Sequence, residues 1–388
     1  MKKLLYIANL RLPTEKAYGI QIAKMCEAFA AQTNMEEKME VELVAPRRKN
    51  NIKEDFFDYY SVRKNLKFKR IWAPDFYLPG FLDKIAVFIK NTISALGLAF
   101  YAFRKKPDII YSRDELPLYF LSFFKNNLIF EAHRFSKSRN SFYKRFINKN
   151  FKVVVITGKL KEDFIKIGFK PENILLAPDG VDLAEFDIDI SKGDARIRVG
   201  LPSDKKIAMY AGHLFEWKGA GTLLHAAKLI FNSQFLVSEN SKILFVFVGG
   251  TEHDIKEFRK KTERLNNILI LGHKPHKDIP FFLKAADVLI LPNSAKEELP
   301  RYYTSPLKLF EYMASGRPII ASDLPSIREI LNQKNSLLVE PDNIGHLAEA
   351  VTKIINDPAK SDQLARKALE GVKSYTWKNR VVKILNFI

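Results

Sequence analysis

Short apolar runs rich in β-branched residues alternate along the chain with longer stretches in which apolar residues recur every three or four positions. The runs "KKLLYIAN", "VELVAP", "DIIYSR", "LIFEAH" and "KVVVIT" predict strands buried on both faces, as in parallel sheets. Helical patterns such as "IQIAKMCEAFAAQ" lie between them. The alternation restarts at "KKIAMYAGHL" and continues through "KILFVFVGG", "ILILGH", "DVLILPN", "RPIIASD" and "NSLLVEP". Two series, each with its own first strand, predict an α/β protein of two doubly wound, Rossmann-like domains. The polar, turn-rich stretch "PDGVDLAEFDIDISKGDARIRVGLP" marks the divide, with the first domain running to 185 and the second starting at 186. Ligands of such sheets bind beyond the carboxyl ends of the strands, so the loops there are where chemistry is expected.

In one such place, "TSPLKLFEYMASGRP", Ser305 and Pro306 read as N-cap and first residue of a helix. The next amides, of Leu307, Lys308 and Leu309, then lack intrahelical partners and form an anion site. Glu311 leans back toward that end, where a pair of hydroxyls would suit it better than the anion itself. Phosphate on the helix end and ribose on the glutamate suggest a nucleotide, although a capped surface helix with a solvated Glu fits this stretch equally well. In "AGHLFEWKGAGTLLHAAKLI", Gly212 permits a tight turn, and His213 and Lys218 stand at the strand's carboxyl end. A lysine ahead of Gly219 and a helix start suits a diphosphate, or is a solvated residue of an ordinary turn.

His133 closes the run "LIFEAH" and can bond a substrate hydroxyl, move a proton, or serve structure alone. Glu131, two residues earlier on the same strand face, suits an orienting role. Gly19 opens "GIQIAKMCEAF", a second helix start that could face an anion or reflect simple turn chemistry. The backbone at His273 and Lys274 in "LGHKPHKDIP" could meet a base edge. His273 and His276 have a metal-like spacing but no nearby third ligand, so no metal is expected. Asp187-x-Asp189 falls in the linker and reads as solvated charge. The chain has no Gly-x-Gly-x-x-Gly or Walker A run, which weighs against a dinucleotide dehydrogenase or a P-loop enzyme.

Charge narrows the partners. The 388 residues carry a net charge of +19, and residues 1–185 hold 33 Lys and Arg against 21 Asp and Glu. From Arg134 to Lys161 nine basic residues and no acidic one interleave with Phe135, Phe142, Tyr143, Phe146 and Phe151. An anionic membrane face, a nucleic acid or a merely solvated helix face would each account for that pattern. Cys26 is the only cysteine, which excludes a disulfide framework and points to a reducing compartment. "MKKLLYIANLRLP" is too short in its apolar part for a signal peptide. "TISALGLAFYAF", 12 residues, is the longest weakly polar run and falls short of a span, so a soluble or peripheral cytoplasmic protein is expected.

Together, "PDGVD", "AGHLFEWKG", "LPNSAKEELPRYYTSPLKLFEYMASGRPIIASD" and "YTWKNRVVKIL", in this order, resemble the retaining glycosyltransferases of family 4, of the two-domain, twin-Rossmann type (GT-B). The resemblance covers nearly the whole chain. It implies two domains facing each other across a cleft, with a last helix that returns to the first domain. The first domain is then 1–185 plus 374–388 and the second 186–373. It implies transfer of a hexosyl unit, with retention, from a nucleoside-diphosphate sugar to an acceptor hydroxyl without a metal. A lipid-linked or cell-envelope glycan at the inner face of the cell membrane is the expected acceptor, and no nucleic acid partner is expected. The alternatives are a catalytically impaired, glycosyltransferase-like binding subunit or a basic protein that binds nucleic acid or a membrane.

The resemblance assigns Glu311 to the ribose hydroxyls, Lys218 to the donor phosphate and His133 to the donor sugar and reacting centre. These three are expected to carry catalysis. Leu307 and Lys308, with Thr304 and Ser305 before them, fall at the diphosphate. Gly19 and Gly212 match glycine loops there, and the backbone of His273 and Lys274 matches the base-binding loop. Two departures stand out. Tyr303 occupies the place of the first glutamate of the family's Glu-x7-Glu signature, and Glu297 or Glu298 is the candidate substitute. His213 occupies the place of the arginine that usually accompanies the lysine.

Overall fold

The computed structural model describes residues 2–34, 37–126, 128–233, 243–262 and 265–388. The chain divides into two compact units, Met1–Pro178 with Trp377–Ile388, and Asp179–Thr376. Its strands are β1 Lys3–Ile7, β2 Thr33–Asn34, β3 Glu37–Lys38, β4 Glu40–Arg47, β5 Lys67–Trp72, β6 Ile109–Ser112, β7 Leu128–Ala132, β8 Lys152–Val155 and β9 Ile174–Leu176. The second unit adds β10 Lys206–Ala211, β11 Ile243–Val248, β12 Ile268–Gly272, β13 Val288–Leu291, β14 Ile319–Ser322 and β15 Leu337–Val339.

The first sheet runs β5-β4-β1-β6-β7-β8-β9 and the second β12-β11-β10-β13-β14-β15. Pairing is parallel throughout both, and β2 with β3 forms a separate antiparallel ribbon. Both units are therefore Rossmann-like α/β domains, as the alternation predicts. Every predicted strand is present, and the central ones are apolar runs buried on both faces of their sheet. β11, for example, is buried along its whole length. Strand order reverses between β1 and β6, and again between β10 and β13, so a crevice opens beside each reversal.

Two expectations about the first unit are corrected. The helix Leu82–Lys105 is long and apolar enough to cross a membrane, whereas the sequence run stopped at 12 residues. The helix extends past Lys90 because that lysine is buried, its ammonium lying 3.5 Å from the Tyr77 ring centroid and donating to the Phe76 carbonyl. Its other face packs on β4, β5 and the helix Glu115–Leu121, so it lies along this unit rather than apart from it. The second correction concerns 134–161. Tyr143, Phe146 and Phe151 are core residues packed with Phe130 and Phe164, so of the five aromatic residues only Phe135 and Phe142 are half-exposed among the basic ones, with Arg139 over the Phe142 ring.

Candidate functional site

The loops at the reversal in the second sheet hold most of the predicted residues. The Ala211 N–H at the end of β10 donates to Tyr312 Oη at 2.8 Å, which pins the helix Leu307–Ala314 to that strand end. The chain then turns at Gly212. His213 follows, its ring stacked on Phe215 with centroids 4.9 Å apart and its carbonyl accepting from Tyr210 Oη. Gly219 sits at φ +73°, and a Cβ there would stand 1.6 Å from the Pro292 carbonyl oxygen. Only glycine lets the loop after β10 seat against the loop after β13. The Ser294 N–H donates to the Trp217 carbonyl at 3.0 Å and joins the same two loops.

Two lysines converge there. Lys308 Nζ is buried with no hydrogen-bond partner among the described residues, 4.2 Å from the Tyr210 ring centroid. It would lie 3.7 Å from a Cβ placed on Gly212. Lys218 Nζ is 5.2 Å from the Trp217 ring centroid. Burial lowers the Lys218 ammonium to about 8. Burial pushes Lys308 well down, the charge of Lys218 adds to this, and Glu311 opposes both. Two neighbouring lysines, Lys218 lowered by burial and Lys308 by burial and by the charge of Lys218, make a site that an anion completes.

The helix end differs in detail from its sequence reading. Pro306 is extended (φ −72°, ψ 125°) and is itself the N-cap, so the helix begins at Leu307. Ser305 does not cap it, because its Oγ accepts from the Asp179 N–H at 3.0 Å. The Leu309 N–H closes onto the Pro306 carbonyl at 2.9 Å, leaving Leu307 and Lys308 as the amides without an intrahelical partner. Thr304 Oγ1 donates to the Leu299 carbonyl at 2.7 Å and closes the preceding turn. Tyr303 caps the short helix Glu298–Tyr302, and Glu297 and Glu298 stand exposed at its start.

Glu311 is mostly buried, and its Oε1 lies 3.2 Å from His276 Nε2. Glu185 Oε2 stands 4.0 Å from the other ring nitrogen of His276. His276 begins the turn His276–Asp278 after β12. In the same loop His273 is exposed, and Lys274 Nζ lies 5.9 Å from the Phe282 ring centroid. The sequence pointed to the backbone of His273 and Lys274 and offered His276 only as half of a metal-like pair. It likewise pointed only to the amide of Lys308, not its ammonium. The signal for both was their place in loops at the carboxyl ends of strands.

In the first unit His133 follows β7, and its Nε2 lies 2.6 Å from Glu131 Oε1. Glu131 is fully buried and also accepts from Gln21 at 2.7 Å, from Arg380 at 2.9 Å and from Tyr111. Burial alone would raise this carboxyl, but Arg380 and then His133 outweigh it and hold it well below the usual range. The orienting role expected of Glu131 thus has a geometric basis. Gly19 is the third residue of the helix Ala17–Ala31, where a Cβ would come within 2.1 Å of Tyr60 Oη. Close packing by itself accounts for that glycine.

Residues 191–370 match the family model described as glycosyl transferases group 1. That match lies within the second unit, Asp179–Thr376. D-inositol 3-phosphate glycosyltransferase 1 of Catenulispora acidiphila is 25% identical over 243 residues, 60% of this chain and 56% of that relative. The UDP-Gal:alpha-D-GlcNAc-diphosphoundecaprenol alpha-1,3-galactosyltransferase of Escherichia coli is 27% identical over 212 residues, 53% of this chain and 51% of that relative. The aligned stretches thus span little more than half the length of these curated relatives. Anabaena HepE, in complex with UDP and glucose, shares the fold at a TM-score of 0.72 and 16% identity, over 100% of both chains.

Proposed function

We propose that this group 1 glycosyltransferase moves a hexosyl unit from a nucleoside-diphosphate sugar to an acceptor hydroxyl, with retention and without a metal. The observation that carries the reading is the buried, unpartnered ammonium of Lys308 beside Lys218 at the start of the helix Leu307–Ala314. Such a cluster suits a diphosphate whose negative charge grows as the bond to the sugar breaks. Lys308 occupies the space beside Gly212 and so supplies the cation that the family's arginine would provide at His213. With two lysines and two backbone amides on the diphosphate, a metal ion is not needed to balance its charge. Glu311 is assigned to the ribose hydroxyls.

On the first unit His133, oriented by Glu131, is assigned to the donor sugar. In the reaction the bond from the anomeric carbon to the phosphate oxygen breaks and one to the acceptor oxygen forms on the same face. The acceptor proton passes to a phosphate oxygen. The acceptor is assigned to a lipid-linked or cell-envelope glycan at the inner face of the cell membrane.

The test is thermal unfolding of the purified protein with a panel of UDP-, GDP- and ADP-sugars. A ligand that binds only the folded state raises Tm by mass action. A rise with one nucleotide class, lost in Lys308→Met, is expected. A rise that Lys308→Met and Lys218→Met both leave intact overturns the assignment.

A further inference from the structure

Most of the exposed large apolar side chains among the described residues lie between Trp72 and Phe124, all within the first unit. On the helix Leu82–Lys105 the exposed Ile85, Phe88, Leu96, Phe100 and Phe103 recur at helical spacing and form one stripe. The opposite face, with Ala86, Ala95, Leu98 and Ala102, is buried against β4, β5 and the helix Glu115–Leu121. Lys90 holds the loop containing Phe76 and Tyr77 against the start of this helix. At its other end the Phe103 ring meets Phe124 with centroids 5.6 Å apart. The patch is therefore continuous along a helix about 36 Å long.

Its rings are extremely open for a packed domain. Trp72 is 77% exposed, Phe81 78%, Phe88 70% and Phe124 71%. Contiguous apolar surface of this extent marks an interaction site. Charge identifies the occupant. Residues 84–106 contain five basic residues and no acidic one, and Lys84, Arg104, Lys105 and Lys106 are exposed. Lys69 and Arg70 stand exposed on the edge strand β5 beside the helix, with Lys67 next to them paired to Glu40. Aromatic rings along an apolar stripe, rimmed by cations, match an interface of acyl chains and anionic headgroups.

We infer that the stripe on Leu82–Lys105, with the rings from Trp72 to Phe81 and at Phe124, docks this protein in-plane on an anionic lipid bilayer. The helix lies in the headgroup region and does not span, because its inner face is part of the packed domain. The inference deepens the acceptor reading and rests on it only for the purpose of docking: a lipid-linked acceptor is met where the enzyme is bound.

The experiment is co-sedimentation of the full chain with phosphatidylcholine vesicles, with and without phosphatidylglycerol, at low and high salt. The wild type should pellet with the anionic vesicles, less so at high salt. Phe88→Glu combined with Phe100→Glu should weaken this roughly tenfold or more, while Ile165→Glu, an exposed apolar residue elsewhere on the unit, should not. The exposed positions of all three predict unchanged Tm, which verifies folding. Equal pelleting of the wild type and the double variant overturns the inference. So does a wild type that ignores vesicles but self-associates, with the double variant monomeric, since the stripe would then meet a second copy. Vesicle binding needs no nucleotide and the nucleotide-induced Tm rise needs no vesicle, so either reading can fail alone.

Discussion

His276 Nε2 lies 3.2 Å from Glu311 Oε1, joining the turn after β12 to the helix Leu307–Ala314 across 35 positions of chain. The contact holds the carboxylate in one orientation before any ligand arrives, with Glu185 on the far side of the ring.

Replacing Glu311 by Ala should therefore remove two hydrogen bonds to a ribose and weaken nucleotide-sugar binding roughly tenfold to a hundredfold. His276→Gln keeps a donor toward the carboxylate and should cost only a few-fold, whereas His276→Leu should approach the Glu311 variant. Isothermal calorimetry with the nucleotide chosen by the Tm panel ranks the three. Equal affinity in His276→Leu and wild type would remove His276 from the site.

The lysine pair makes binding pH-dependent. Lys218 loses its proton near 8 in the free protein, and Lys308 is also held well below its ordinary range. A bound diphosphate favours the charged forms, so binding should take up protons and weaken as pH rises from 7 to 9. Calorimetry in buffers of different ionisation enthalpy reads that uptake. Lys308→Met should lower it, and a wild type with no proton uptake near pH 8 would contradict the pairing. For folding the sign is opposite: the unfolded chain binds more protons above 8, so the ligand-free protein gains stability from Lys218 as pH rises through that window.

Arg380, on the final helix Trp377–Phe387, is the strongest charge partner of Glu131 and donates to the Ala177 and Pro178 carbonyls as well. Arg380→Met leaves a buried carboxylate short of its counter-charge and should cost about 3 kcal/mol. In the wild type the carboxyl is held low, so its stabilisation is present above the unfolded pKa and disappears only in strong acid. In the variant burial dominates and the carboxyl rises, so the loss of Tm should be larger at pH 8 than at pH 5. An equal loss at both values would mean that Arg380 acts by packing alone.

Gly219→Ala sets a methyl group against the Pro292 carbonyl at a position that requires a left-handed backbone. It should lower stability by more than ~1 kcal/mol and, by parting the loops after β10 and β13, weaken nucleotide binding further. Gly221→Ala, where a Cβ meets open space, is the matched control and should leave both unchanged.

Much of the fold was legible because buried parallel strands are written as apolar runs, as the central strands β1, β6 to β8, β10, β11, β13 and β14 are, and the half-buried edge strands β12 and β15 are apolar as well. The strands that escaped are peripheral. β5 is a polar edge strand with exposed Lys67, Lys69 and Arg70, and β9 has three residues. β5 is broken by charged residues and so lacks the apolar run, whereas β9 is apolar but too short to signal a strand. The aromatic residues from Phe135 to Phe151 misled for a related reason. Basic residues alternate with them in sequence, but the helix Asn140–Asn148 turns Tyr143 and Phe146 inward and sends Lys144 out to solvent.

The order of strands and helices, the glycine turns, and the presence of a lysine and a glutamate in loops at the binding edge are local properties of the chain, since period and turn chemistry act over a few residues. The partners of those side chains are not local. That His276 meets Glu311, that Lys308 fills the space beside Gly212, that Arg380 neutralises Glu131, and that one face of Leu82–Lys105 stays uncovered each depends on segments far apart in sequence. Burial and charge pairing are set by where the packed sheets bring those segments, and only the folded chain specifies that.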